Sequence, residues 1–219
     1  MRLSGRRLTH VRETHRAELG DVLCVGLLDG LLGSGTVLRL DEEALEMHVE
    51  LQQPPPAKLP LTLILALPRP KVLNRVLASA TSLGVRSIHL VNAWKVEKSY
   101  WKSPRMAEEN LLHQRALGLE QAKDTRLPEL HLHRLFRPFV EEELPHIVQA
   151  TQALVGHPGA LEPCPRQVGA PITLAVGPEG GWIEAELESL QRAGFRPVDL
   201  GPRILRTETA VAALVGRLF

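Results

Sequence analysis

Two Gly-Pro turns near the carboxyl end of the chain constrain its fold more than any other feature. Gly177-Pro178 follows the apolar run Ile172–Val176, and Gly201-Pro202 follows the run Pro197–Leu200. Glycine lets the main chain approach a ligand closely, and proline stiffens a turn by fixing its own φ angle. Because α/β sheets bind ligands beyond the carboxyl ends of neighbouring strands, the two turns are predicted to line one crevice.

After residue 56, short apolar runs alternate with segments of helical periodicity, which is typical of an α/β domain. The predicted strands are Leu61–Leu67, Val85–Val91, Glu129–Leu135, Ala153–Val155, Ile172–Val176 and Pro197–Leu200. The predicted helices are Lys71–Leu83, a long helix that starts at Ser103-Pro104, a short helix in Val140–Ala150, then Ile183–Ala193 and Thr207–Phe219. We expect His131 and His133, two residues apart on one strand, to lie on an exposed face.

The first 52 residues contain short runs rich in Val and Leu with tight turns between them, which favours a small β barrel or sandwich. The predicted strands are Val22–Leu28, Thr36–Leu40 and Leu45–Leu51. Five arginines precede them, namely Arg2, Arg6, Arg7, Arg12 and Arg16. These arginines form either a patch that binds an RNA backbone or a solvated face at the edge of a domain.

The segment Gln52-Gln53-Pro54-Pro55-Pro56 marks the best boundary in the sequence. Consecutive prolines favour an extended, semi-rigid spacer. We therefore predict two domains, residues 1–55 and residues 56–219, held apart by a stiff linker.

Composition argues against several classes of function. Aromatic residues make up 4% of the chain and its formal net charge is +1, so neither a platform of stacking rings nor a strong overall charge indicates nucleic-acid binding. Cys24 and Cys164 form no CxxC pair, the histidines show no metal-ligand spacing, and no phosphate-binding glycine loop occurs. The start of the chain lacks a signal-peptide core, and no apolar run reaches the length of a membrane span. These features predict a soluble cytoplasmic protein without a metal.

The two turns also carry a family resemblance. The sequence GPEGGW at 177–182, followed by LGPRILRTETA at 200–210, resembles the signature of the RsmE-type methyltransferases, which belong to the SPOUT class. The resemblance implies an α/β fold with a carboxyl-terminal SPOUT trefoil-knot domain and an amino-terminal PUA-like β barrel. It also implies the activity: S-adenosyl-L-methionine (SAM) donates a methyl group to N3 of a uridine in 16S ribosomal RNA of the small subunit. A homodimer is implied as well, because in that class the partner subunit completes the cofactor site.

The resemblance assigns roles to individual residues. The cofactor pocket would contain Leu174, Gly177, Pro178, Glu179, Gly180, Gly181, Leu200, Gly201, Ile204, Leu205 and Thr209. Arg206 and Glu208 would be catalytic, because the imide proton of uridine N3 must be removed or the resulting anion stabilised. Arg203 is an RNA-binding candidate together with the five amino-terminal arginines, and the choice between Arg203 and Arg206 as the catalytic arginine stays open. Glu208 is equally suited to complementing the dipole of a helix start.

The sequence departs from the family pattern in the first helix after the linker. Ser79 and Ser82 replace a lysine and a glutamate that are typical there, although the following Leu83-Gly84-Val85 is retained. The cofactor half of the signature is thus intact and the RNA half is altered. Two other functions therefore stay open, a SPOUT methyltransferase acting on a different RNA nucleotide and a non-catalytic RNA-binding factor in ribosome assembly.

Overall fold

The computed structural model describes all residues from Met1 to Phe219, which form two compact units. The amino-terminal unit comprises Met1–Pro56 together with the short segment Lys123–Arg126. The larger unit comprises Ala57–Ala122 and Leu127–Phe219. None of the helices is both long enough and apolar enough to cross a membrane.

The amino-terminal unit is an antiparallel sheet with one helix. Its elements are β1 (Arg2–Leu3), α1 (Arg6–His10, continued by a π-helical turn over Val11–His15), β2 (Val22–Gly26), β3 (Leu32–Leu40) and β4 (Leu45–Gln53). The strand order is β1-β4-β3-β2. Leu8 and Val11 of the helical segment pack with Val37, Leu45 and Met47 in a small core. The segment Lys123–Arg126 joins this unit, since Thr125 accepts a hydrogen bond from the backbone N–H of Asp29 at 2.8 Å.

This sheet is open, whereas the sequence led us to expect a barrel or sandwich. A barrel closes only when its two edge strands pair, and here the edges are β1 and β2, which do not pair. β1 has only two residues and therefore offers almost no ladder for closure. The helix at 6–15 also contradicts the expectation that residues 1–52 are all β. Its Leu8 and Val11, three positions apart, form the buried face of a short helix.

The larger unit contains a six-stranded, fully parallel sheet of order β10-β8-β9-β5-β6-β7. Its strands are β5 (Leu59–Ala66), β6 (Val85–Val91), β7 (Glu129–His133), β8 (Gln152–Gly156), β9 (Ile172–Val176) and β10 (Arg196–Val198). Its helices are α2 (Pro70–Ser82), α3 (Glu108–Ala122), α4 (Phe136–Pro138, continued by a π-helical turn over Phe139–Glu143), α5 (Leu144–Val148), α6 (Glu184–Arg192) and α7 (Thr207–Leu218). The central strand β9 is buried at every position, as expected for a parallel sheet covered on both faces.

The predicted strands Val85–Val91 and Ile172–Val176 match β6 and β9 residue for residue. The long helix predicted from Ser103 begins later, at Glu108. Ser103 instead caps a short 3-10 turn at Pro104–Met106, where its Oγ accepts a hydrogen bond from Arg105 N at 3.2 Å. The Ser-Pro pair thus marks the start of the 3-10 turn and not the start of the long helix α3.

The apolar face of α7 belongs to the core of this chain. Val211, Leu214, Val215 and Leu218 are each at most 2% exposed and pack in the main hydrophobic cluster. An apolar helix face of this kind can form either core or a subunit interface. In the larger unit it forms core.

Three histidines meet on strands β6 and β7. A hydrogen-bonded chain runs from Ser87 Oγ to His89 Nε2 (3.2 Å), from His89 Nδ1 to His133 Nε2 (3.0 Å) and from His133 Nδ1 to Glu143 Oε1 (3.1 Å). His131 is exposed, as expected, and its ring stacks on His89 at 4.5 Å. The expectation that His133 is also exposed is wrong, because Phe139 packs 4.4 Å from its ring and leaves only 8% of the side chain accessible.

Burial, together with the neighbouring charges of His131 and His133, lowers the pKa of His89 to about 3. Burial also lowers the pKa of His133, although Glu143 opposes that shift. The chain Ser87–His89–His133–Glu143 therefore holds a neutral His89 over the whole physiological range.

We predict that acidification destabilises the fold through His89. In the unfolded chain this histidine takes up a proton near pH 6.5, whereas in the folded protein it stays neutral down to about pH 3. Stability is therefore full above pH 6.5 and falls as the pH is lowered from there, by up to about 1.4 kcal/mol per pH unit for this one proton. Denaturant unfolding between pH 4 and pH 8 measures the slope. His89→Gln should have a smaller slope, and equal slopes in the two proteins would contradict the prediction.

Candidate active site

One cavity of about 610 Å³ lies in the larger unit, where strands β8, β9 and β10 end. Its volume falls within the range of about 300–1,000 Å³ that small-molecule sites occupy. The wall consists of residues that follow the three strands, of the first turns of α7 and of the start of α2. The lining residues are Arg69, Val72, Arg75, Gly156, His157, Pro158, Val176, Gly177, Pro178, Glu179, Gly181, Trp182, Val198, Asp199, Leu200, Arg203, Ile204, Leu205, Arg206, Thr207, Glu208, Ala210 and Leu214.

The loop after β9 forms one side of the cavity. Its turn is closed by a hydrogen bond from Gly181 N to Pro178 O at 2.8 Å, and Gly181 has a φ of 70°. A side chain at Gly177 would lie 3.2 Å from Trp182, so this glycine lets the indole pack against the backbone. Glu179 Oε1 accepts a hydrogen bond from Arg69 N at 3.0 Å, which ties the loop to the start of α2.

The loop after β10 forms the opposite side. Gly201 has a φ of 117°, a conformation that other residues rarely adopt. The loop leads into α7, where Arg206 occupies the N-cap position in an extended conformation and no side chain caps the helix. Arg203, Ile204 and Arg206 are exposed to the cavity and to solvent.

An ion pair joins α2 to α7 at the cavity wall. Arg75 Nη1 lies 3.2 Å from Glu208 Oε1, with 61% of the arginine side chain and 19% of the glutamate side chain exposed. The second carboxylate oxygen of Glu208 has no hydrogen-bond partner. The partner of Glu208 is thus Arg75, a residue to which the sequence analysis gave no role. No local signal could have revealed this pair, since its members are 133 positions apart.

Two buried polar atoms point to a ligand. Only three buried side-chain nitrogen or oxygen atoms in the chain lack a hydrogen-bond partner, and two of them, Trp182 Nε1 and His157 Nδ1, belong to residues of the cavity wall. Buried polar groups are nearly always paired in native proteins. A polar ligand with hydrogen-bonding edges would satisfy both atoms. The cavity therefore suits a cofactor such as SAM better than a purely apolar molecule.

The structure brings together most of the residues that the sequence singled out. Of the cofactor candidates, Gly177, Pro178, Glu179, Gly181, Leu200, Ile204 and Leu205 line the cavity, and Arg203, Arg206 and Glu208 line it with them. Gly180, Gly201 and Thr209 lie in the same two loops or the first turn of α7 but outside the wall. Leu174 is fully buried in the middle of β9, paired with Leu63 and Leu154 on the neighbouring strands.

The five amino-terminal arginines belong to the amino-terminal unit, where all are exposed, namely Arg2, Arg6, Arg7, Arg12 and Arg16.

Sequence reasoning missed several cavity residues, namely Arg69, Val72, Arg75 and Asp199. It also missed His157 and Pro158, which line the cavity as well. The signal for His157 and Pro158 is the end of β8, because the carboxyl end of this third strand reaches the same edge of the sheet.

Comparisons with known proteins show the family of the chain. Residues 55–218 match the family model described as the RNA methyltransferase domain. The ribosomal RNA small subunit methyltransferase E of Treponema pallidum is 31% identical over 212 residues, which cover 94% of this chain and 80% of the relative. The protein of the same name from Mycobacterium bovis is 28% identical over 217 residues, covering 94% and 81%.

A solved structure has the same fold. The crystal structure of ribosomal RNA small subunit methyltransferase E from Neisseria gonorrhoeae, bound to S-adenosyl methionine, superposes with a TM-score of 0.75 at 22% identity. The match covers 98% of this chain and 89% of that one.

We predict that Gly201→Ala distorts the loop after β10. No atom lies within 4 Å of a side chain added there, so the cost is purely that of a φ near 117°, about 1–3 kcal/mol. Gly169→Ala is the matched control, because that glycine also has open space but no positive φ. Thermal unfolding and SAM titration should show losses for the first variant and changes within about 0.5 kcal/mol for the second. Indistinguishable variants would contradict the strained-loop account.

Proposed function

We propose that this chain methylates small-subunit ribosomal RNA with SAM as the methyl donor. The chain belongs to the RNA methyltransferase family, the family of ribosomal RNA small subunit methyltransferase E. The single observation that carries the proposal is the cavity built from both Gly-Pro loops inside the part of the chain that matches the family model. Neither loop alone defines the chemistry. Their convergence on one cavity, with arginines and a glutamate in its wall, fits an enzyme that acts on RNA.

The wall of the cavity suits SAM on chemical grounds. The glycine loops after β9 and β10 expose main-chain groups that would hold the adenine and ribose edges, and Leu200 and Leu205 would supply apolar contact. Trp182 Nε1 and His157 Nδ1 would gain partners from polar atoms of the cofactor. When bound, SAM supplies an electrophilic methyl group on a sulfonium centre. The chain must then orient the acceptor in line and prepare its nitrogen.

We infer N3 of a uridine as the acceptor, the target implied by the family resemblance. This nitrogen carries an imide proton, so a group of the chain must accept it. The free carboxylate oxygen of Glu208 is suited to this role, while Arg75 holds the other oxygen in place. Arg206, exposed next to Glu208, would orient the uracil carbonyls and stabilise the developing negative charge. Arg203 would then bind a phosphate.

The finer architecture is also a proposal. The amino-terminal unit would be a PUA-like RNA-recognition domain, and its exposed arginines would contact the RNA backbone. The trefoil knot is proposed from the family resemblance. In the structure the segment before β9 contacts the end of α7, because Val168 N donates to Leu218 O at 2.7 Å and Arg217 Nε donates to Cys164 O at 2.6 Å.

A homodimer would use the outer side of α7, since the inner side is core. A groove of about 670 Å³ runs there and shares Leu200 with the cavity wall. Its residues include the small side chains of Ala212 and Ala213 and the glycine Gly216, against which a second chain can pack closely. A partner docked on this groove would lie beside the cofactor loop.

The first experiment is methyl transfer from labelled SAM to small ribosomal subunits that lack the modification, with nucleoside mass spectrometry of the product. We expect 3-methyluridine. Another methylated nucleoside would support the alternative RNA target, and SAM binding without any product from these subunits would point the same way. No SAM binding and no product would support the non-catalytic assembly factor.

Variants then separate the roles in the cavity wall. Arg206→Ala should lower kcat by about 10²–10³-fold, the usual effect of losing a group that stabilises developing charge. Arg203→Ala should raise KM for RNA and leave kcat nearly unchanged. Arg192→Ala, an exposed arginine of α6 outside the cavity, is the matched control. The reverse pattern for Arg203 and Arg206 would exchange their roles.

The Arg75–Glu208 pair allows a further test. Glu208→Gln should lower kcat by about 10²–10⁴-fold, as expected for a lost proton acceptor. Arg75→Ala should change the stability by less than about 1 kcal/mol, because 61% of the arginine side chain is exposed, yet should lower kcat. Arg75→Lys keeps the charge and should recover part of the activity. Full activity of Glu208→Gln would contradict the assignment of Glu208 as the proton acceptor.

A further inference from the structure

Trp94 is an exposed aromatic residue that the site described above leaves unexplained. Its side chain is 80% exposed, whereas the other two tryptophans, Trp101 and Trp182, are 8% and 5% exposed. Large aromatic rings are usually buried or in contact with a partner, because exposing them to water forfeits a large hydrophobic gain. Trp94 lies in the loop after β6, at the same edge of the sheet as the two glycine loops.

The backbone that carries this indole is held rigidly. Trp94 N donates to Glu186 Oε1 at 2.7 Å, and the other oxygen of this buried carboxylate accepts from Ile183 N at 3.1 Å. The flanking residues Ala93 and Val96 are buried in the core. The backbone at Trp94 is therefore held in one conformation. The loop loses less conformational entropy when a ligand binds the ring, because it is already ordered.

The same loop contacts the cavity loop directly. Lys95 Nζ donates to Gly180 O at 2.7 Å, and Gly180 lies between Glu179 and Gly181 of the cavity wall. Trp94 is thereby placed beside the loop that would hold the cofactor.

The charge around Trp94 defines the kind of ligand. Residues 92–105 contain four cations, Lys95, Lys98, Lys102 and Arg105, and one acid, Glu97. Glu97 is engaged by Tyr100 Oη at 3.1 Å and by Ser99 Oγ at 3.4 Å. Lys98 and Lys102 are exposed and have no partner. Lysine is depleted in the interfaces between proteins, so this surface suits a polyanion with flat rings better than a second copy of the chain.

We propose that Trp94 stacks on an unpaired base of the RNA substrate beside the target nucleotide, with Lys98 and Lys102 on the flanking phosphates. Single-stranded RNA is recognised by stacking of this kind on aromatic rings, with cations following the backbone. The proposal deepens the proposed function, on which it rests for the identity of the RNA. It adds a requirement: the target nucleotide must be presented in a loop or an unpaired segment.

The test compares Trp94→Ala and Trp94→Phe with the wild-type protein on unmodified small ribosomal subunits and on an unpaired fragment of their RNA. Trp94→Ala should raise the dissociation constant for RNA by about 5- to 100-fold, the size of one base–aromatic stack, and Trp94→Phe should recover most of the loss. SAM affinity and thermal stability should not change. Leu112→Ala, an exposed apolar residue on α3, is the matched control and should match the wild type.

Two spectroscopic and salt measurements sharpen the result. RNA should quench the tryptophan fluorescence of the wild type, and Trp94→Phe should abolish that quenching, because the two remaining indoles are buried. The slope of log affinity against log salt should fall by about 0.7 for each of Lys98→Ala and Lys102→Ala, as for one lost contact with a single strand.

Unchanged RNA affinity of Trp94→Ala would overturn the inference. Size-exclusion chromatography with light scattering shows whether Trp94→Ala still forms a dimer. If the variant is monomeric and only the monomer loses RNA affinity, the inference is overturned and Trp94 belongs to a protein interface. Quenching by RNA without any methylated product would leave this inference standing and refute the proposed reaction. Methyl transfer by Trp94→Ala with wild-type KM would refute the inference and leave the reaction standing.

Discussion

The parallel pairing of β8, β9 and β10 is the constraint on which the rest of the larger unit depends. β8 pairs in parallel with β9, where Leu154 lies opposite Leu174, and in parallel with β10, where Leu154 lies opposite Arg196. The three strands therefore run in the same direction and end at one edge of the sheet. Only this arrangement brings the two Gly-Pro loops to a common cavity. An antiparallel partner in the same place would send one loop to the opposite edge of the sheet, 5 residues or about 17 Å away.

The cavity also depends on helices that come from distant parts of the chain. Glu179 receives the backbone N–H of Arg69 at the start of α2, and Glu208 of α7 receives the guanidinium of Arg75 from the same helix. Helix α2 and its N-cap residue Arg69 thus contact the loop after β9 and the first turn of α7 through one hydrogen bond each. The Arg75–Glu208 pair therefore joins two helices that pack on the sheet.

The two units contrast in how much of their surface is committed to packing. The larger unit buries a continuous apolar core on both faces of its sheet, whereas the small core of the amino-terminal unit leaves the exposed arginines at its start. Within the larger unit, the exposed Trp94 lies among unpaired lysines on a loop that Glu186 holds in place. A net charge of +1 conceals this local arrangement, since the overall balance averages a basic loop with acidic segments elsewhere.

The sequence by itself determined the elements whose signals are local. Apolar runs located β6 and β9, and the Gly-Pro turns located the two loops, because strand burial and turn stereochemistry depend on neighbouring residues. Only the tertiary structure decided which groups meet across long separations, among them Arg75 with Glu208 and His89 with His133. It also decided that the first sheet stays open and that the apolar face of α7 is core, because edge pairing and burial depend on the packing of the whole unit.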